Sequence, residues 1–82
     1  MSEYYSRMAW CLETLREILR KATPEVRRID EFVKEDSEGR RKTSPVRYAG
    51  FHLEHAIHHL QAAAEELAGA AKQLREEASK CA

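Results

Sequence analysis

A seven-residue ladder runs through the C-terminal half of the chain: Val46, Leu53, Leu60, Leu67, Leu74 and Cys81, interleaved with Gly50, Ile57, Ala64, Ala71 and Ala78. Steps of three and four follow the turn of an α-helix and not the alternation of a strand. Large residues hold one position of the heptad and mostly small ones the other, the pattern of a long helix that docks closely on a second helix. A further small row, Ala49, Ala56, Ala63 and Ala70, lies beside the leucines and widens the surface open to a close neighbour.

The N-terminal half repeats the helical period. Tyr5, Met8, Leu12, Leu15, Leu19 and Ala22 predict a helix over about 3–22. Thr23-Pro24-Glu25 then carries the signals of a new start: a hydroxyl cap, proline at the first helical position and an acid in the first turn. A second helix is expected over about 24–36. Because the three-four pattern continues through Val26, Ile29 and Val33, this helix is read as following the first after a kink, with a reversal at Pro24 as the alternative. Periodicity fails over Asp36–Ser44, which contains Gly39, so 37–44 is the expected loop. Ser44-Pro45 repeats the cap-and-proline signature and opens a helix over about 45–80, long enough at 1.5 Å per residue to match the first two joined end to end.

These lengths predict an all-α, single-domain chain over 1–82: a long helical hairpin in which kinked helices one and two lie against helix three. Positions whose numbers sum to about 82 should then face one another. Leu12 would meet Ala70 and Ala71, Leu19 would meet Ala63 and Ala64, and Ile29 would meet Leu53. Two helices cannot cover so wide an apolar surface, so the hairpin is expected to pair into a four-helix or larger bundle. The competing architecture is a three-helix bundle.

Composition narrows the function classes. A chain of 82 residues buries a modest fraction of its surface when it folds alone, which again favours a homo-oligomer. Fourteen Lys and Arg balance fourteen Asp and Glu, so no overall field draws the molecule to nucleic acid or to an anionic membrane. Apolar residues are too dispersed for a membrane span, and the first residues lack the apolar segment of a signal peptide. A cytoplasmic location is the expectation. Cys11 and Cys81 lie too far apart in the hairpin register for a disulfide and are read as reduced thiols.

Three groups of residues hold the candidate chemistry. All four histidines fall within His52–His59, and on a helical wheel Tyr48, His52, His55, His59 and Glu66 share one stripe. His55 and His59, at i and i+4, have the spacing to reach one metal ion, which would need further ligands from another helix or subunit. The simpler reading makes them interfacial polar residues, with Glu54 supporting His58 at i+4. Trp10 stands among Glu3, Arg7, Glu13, Glu17 and Lys21, opposite the apolar seam, and marks a contact for a protein partner. Basic residues gather at Arg40, Arg41 and Lys42 in the loop and Arg47 in the first turn of helix three, where unpaired backbone N–H groups favour anions, and Arg27 and Arg28 stand on helix two. Asp36 and Glu38 stand beside this run, and duplex nucleic-acid binding is disfavoured.

The segment Arg47–Leu60 (RYAGFHLEHAIHHL) resembles the Leu-Glu-x-Ala helix of phage helical proteins that sequester cyclic nucleotides at their oligomer interfaces. His58 and His59 stand where that helix carries a Met-Trp pair. The resemblance implies a basic and aromatic pocket for a small anionic ligand using Tyr48, His52, Arg41 and Arg47. Catalysis needs a nucleophile or base, an orienting partner and a stabilising group in one pocket, and the sequence offers only the histidine stretch. The leading expectation is therefore a non-enzymatic, cofactor-free interaction protein, adaptor or inhibitor-like, that works by assembly and surface contact. Ligand sequestration and histidine-mediated metal binding are the alternatives.

Overall fold

The structure, a computed structural model, describes residues 2–38 and 44–81. Two long helices, α1 (Ser2–Ser37) and α2 (Pro45–Cys81), pack against each other along their length as a helical hairpin. No break separates the expected first and second helices: α1 runs through Thr23 and Pro24 without interruption. Proline lacks an N–H and so leaves the Arg20 carbonyl without its usual helical donor, a local cost. The row Leu19, Val26 and Val33 stays half-buried on the same side across the proline, and this continued packing against α2 holds the helix together. Thr23 lends its hydroxyl to the carbonyl of Leu19 at 2.8 Å instead of capping a new helix.

Ser44 does cap α2. Its carbonyl accepts the N–H of Arg47 at 3.0 Å and of Tyr48 at 3.3 Å, and its hydroxyl accepts the N–H of Val46 at 3.3 Å. At the other side of the connection α1 ends in Ser37, whose hydroxyl bonds the Lys34 carbonyl at 3.1 Å, followed by a turn at Glu38. Of the expected loop, residues 39–43 lie outside the described part, and with them Arg40, Arg41 and Lys42.

The line of closest approach is made of small residues. Ala9, Ala64, Ala71 and Ala78 are buried, Ala9 completely, and Gly50 brings the backbones near enough that a β-carbon there would sit 3.5 Å from Val33 Cγ1. Tyr5, Leu12, Leu19, Val26 and Val33 of α1 and Val46, Leu53, Leu60, Leu67 and Leu74 of α2 are only half-buried along one edge of that line. Among the described residues no large side chain is fully buried.

The seam on α1 therefore differs from the expected one. Met8, Leu15 and Ile29 remain exposed, Ile29 at 53% instead of packed under Leu53, while Ala9, Arg16, Thr23 and Asp30 take the alternate seam positions. A single neighbouring helix covers one narrow stripe, and the alanines of α2 draw the small or polar side of α1 towards them. The register agrees with expectation where Val33 lies by Gly50, while on the flank the long side chains of the Glu13–Arg75 and Lys34–Glu54 pairs reach about six residues beyond the expected pairing.

The molecule is a rod, 61 × 17 × 12 Å between Cα extremes, with a radius of gyration of 18.3 Å. A compact chain of this length would have a radius near 12 Å.

Candidate functional site

The two long flanks of the hairpin differ in chemistry. One is polar. At its open end Arg75 grips Glu13 through two bonds, Nε to Oε2 at 2.7 Å and the terminal nitrogen to Oε1 at 2.6 Å. Near the connection Lys34 Nζ bridges Asp30 Oδ2 of its own helix at 3.1 Å and Glu54 Oε1 of α2 at 3.2 Å. The two cross-helix pairs stand the same number of residues apart on each helix, so both ends enforce one register.

Hydrogen bonds from Arg75, and then its charge, hold the Glu13 carboxyl below its ordinary range. The bond to Asp30, followed by that to Glu54, raises Lys34 above its ordinary value. Asp30 is 5% exposed, and its Oδ1 has no bonded partner among the described residues. Shallow grooves follow this flank. A groove of about 560 Å³ runs past Arg16, Arg20, Thr23, Pro24 and Arg27 to Gln61, Ala64 and Glu65.

The other flank is apolar. Met8, Leu15, Ala22 and Ile29 recur at sevens beside the half-buried leucines of α1, and Tyr4, Cys11, Ile18 and Phe32 form a further row behind them. Tyr4, Met8, Leu15, Ile18, Ile29 and Phe32 are 60%, 39%, 49%, 57%, 53% and 65% exposed. Across the seam, α2 presents Ala49, Ala56, Ala63 and Ala70, of which Ala56 alone is half-buried. One face of the rod thus carries large side chains along α1, small ones along α2 and two lines of incompletely covered large residues between them. A contiguous apolar face of this length on a small chain is the usual mark of a protein interface.

This face splits into parts that were legible in the sequence and parts that were not. Met8, Leu15, Ile29 and the alanine row stand in the expected stripes. The row Tyr4, Cys11, Ile18 and Phe32 was missed, although it repeats the same period one step further round the helix, with Glu25 as its interruption.

Trp10 is 63% exposed on the side of α1 away from the apolar face. His52, His55, His58 and His59 are all exposed. Among the described residues no three of His, Cys, Asp and Glu come together as a metal-ligand group, so His55 and His59 stand as a pair. Glu54, expected to support His58, has its carboxylate on Lys34 instead, because the cross-helix ammonium is within reach.

Of the residues proposed to hold an anion, Tyr48 is half-exposed and touches Phe51 edge to face, with ring centres 6.3 Å apart. His52 is exposed, and Arg41 lies outside the described residues. Arg47 is half-buried, with its Nε enclosed and unpartnered among the described residues. It lines a groove with Lys34, Glu35, Ser37, Glu38, Gly50, Phe51 and Glu54, where three carboxylates oppose an anion. Among the described residues no helix is long and apolar enough to cross a membrane.

No family model, curated protein or solved structure matches the chain.

Proposed function

We propose that the chain is a small oligomeric helical interaction protein, adaptor or inhibitor-like, that acts by assembly and surface contact and not by catalysis. The observation that carries this reading is the exposed apolar face. Its large side chains and the half-buried leucines beside it form half of a helix-bundle core, and a second layer of helices supplies the other half. Surface area points the same way. The chain exposes 6394 Å², roughly 1,300 Å² more than the ~5,000 Å² of a compact monomer of 9.5 kDa. Trp10, turned away from that face, remains free to contact a different protein once the bundle has formed.

Sedimentation equilibrium, on protein without an affinity tag, tests the reading. A mass of two chains or more at ten micromolar is expected. Leu15→Glu with Ile29→Glu should reduce that mass to one chain, since each places a charge in the apolar face. Arg27→Glu on the polar flank should leave it unchanged. A wild-type monomer at this concentration, or an oligomer indifferent to the double substitution, would overturn the proposal.

A further inference from the structure

We infer that the apolar face takes a second copy of this chain, related by a two-fold axis parallel to the helices, so that both inter-helix connections lie at one end of a four-helix bundle. The inference rests on the proposed assembly and specifies its geometry.

Two hairpins can meet face to face with two-fold symmetry in two ways. With the axis parallel to the helices, α1 of each copy lies over α2 of the other. With the axis across the helices, α1 lies on α1, α2 lies on α2, and the connections point to opposite ends. The distribution of side-chain size separates them. Large residues line the α1 side of the face and alanines the α2 side, so only the first arrangement sets large against small.

The hairpin's own register supplies the pairs. Val33 beside Gly50 and the longer reach of the Glu13–Arg75 and Lys34–Glu54 pairs bracket the register, and within that bracket Leu15 lies about level with Ala70 and Ile29 with Ala56. Rotation about the long axis preserves height, so Leu15 of one copy stands over Ala70 of the partner subunit, and Ile29 over Ala56 of the partner subunit. The large residues of each layer then sit diagonally and fill the centre, and every adjacent pair of helices is antiparallel.

The transverse arrangement stacks Met8, Leu15 and Ile29 against the same rows of the other α1 while alanines meet alanines. One side would be propped open as the other closed, because interhelical distance follows the size of the residues in contact. The parallel axis also brings the outer rows together favourably: Glu25 comes level with His59 of the partner subunit, and Phe32 with His52 of the partner subunit. The available footprint is adequate. A rod 61 Å long and 17 Å across offers about 1,000 Å², against the ~800 Å² each partner contributes to a stable interface.

Pulsed electron–electron spin resonance decides between the two. A single nitroxide is placed by Glu35→Cys, in a chain also carrying Cys11→Ser and Cys81→Ser, on the solvent side of α1 near the connection. With the parallel axis the two labels share one height, and their separation is about 25 Å, a bundle diagonal plus two linkers. With the transverse axis they lie near opposite ends, about 50 Å apart from the axial rise alone. The shorter distance supports the inference. The longer one overturns it while leaving self-assembly intact. Absence of any dipolar coupling, with a one-chain mass in the same sample, overturns both the geometry and the assembly. A repeat with the label at Arg7→Cys, near the other end of α1, guards against a local effect and should again give the shorter distance.

Discussion

Pro24 and Asp30 are the residues at which α1 departs most from a regular apolar helix, and each departure carries a measurable cost. Replacing Pro24 by Ala restores an N–H for the Arg20 carbonyl and removes ring crowding in a helix that already runs through this site. Part of the gain is offset because alanine frees the unfolded chain. Pro24→Ala is expected to stabilise the protein by about 2 kcal/mol in urea denaturation. No change, or a loss, would mean that the proline is accommodated by a bend that the packing needs. Asp30 is held by Lys34 alone among the described groups, so Lys34→Met strands a buried carboxylate and should destabilise more than Glu13→Gln, which breaks an exposed pair. The pH dependence of the Glu13 pair has a definite sign. Its folded value lies below the unfolded one, so the contribution is present above about pH 4.3 and is lost as pH falls through the folded value. Lys34 is the mirror case, contributing below about pH 10.4 and losing that contribution as pH rises through its raised folded value. Thermal melts of wild type and Glu13→Gln should therefore differ by a constant small amount between pH 5 and 8, and the gap should shrink progressively as pH falls below about 4.3. A gap that stays the same size throughout the acid range would show that the pair does not act through ionisation.

At the level of helices, the two glycines of α2 respond to different surroundings. Gly69 has nothing within 4 Å of a β-carbon placed on it, so Gly69→Ala gains helix propensity at no steric cost, about 0.8–1 kcal/mol. At Gly50 the same change meets Val33 Cγ1 at 3.5 Å, an ordinary contact, and should be neutral to mildly stabilising. Denaturation midpoints check both, and a destabilised Gly69→Ala would imply that another helix lies close against that side of α2. The heptad of α2 was legible because its leucines and alanines are cleanly sorted and nothing interrupts them between Pro45 and Cys81. The boundary at Ser44 was legible because a hydroxyl and a proline have one common use at a helix start. Thr23-Pro24 carries the same pairing of hydroxyl and proline and the same local signal, yet α1 continues, because Leu19, Val26 and Val33 stay on one side across it. The cap signal by itself does not register that continuity; the apolar spacing through Val26 and Val33 does, and the packing it directs outweighs the proline. The stripe of α1 was misplaced for a related reason. Met8 and Leu15 fit the period as well as Ala9 and Arg16 do, and only the alanines of a neighbouring helix decide which row lies innermost. Ion pairs such as Glu13–Arg75 were beyond reach, since they depend on register to within one turn.

The whole rod poses a problem of stability that its parts do not. Among the described residues its innermost are four alanines and Asp30, its leucines are half in solvent, and an isolated hairpin gains little from either. If the missing burial comes from a second copy, folding and association are one equilibrium and the melting temperature must depend on concentration. The size of that dependence follows from the chain length. Unfolding two chains of 82 residues at ~2.1 cal/mol/K per residue releases about 0.34 kcal/mol/K, and a tenfold dilution costs the dimer about 1.4 kcal/mol. The melting temperature should therefore fall by about 4 °C for each tenfold dilution. Circular dichroism at 222 nm, followed from 100 to 1 μM in cells of different path length, measures this directly. Leu15→Glu with Ile29→Glu should lower the melting temperature and abolish its dependence on concentration together, because one face supplies both. A wild-type melting temperature that does not move over that range would mean that the hairpin holds itself together. The apolar face would then be available to a different partner, and Trp10 would cease to be the first place to look for one.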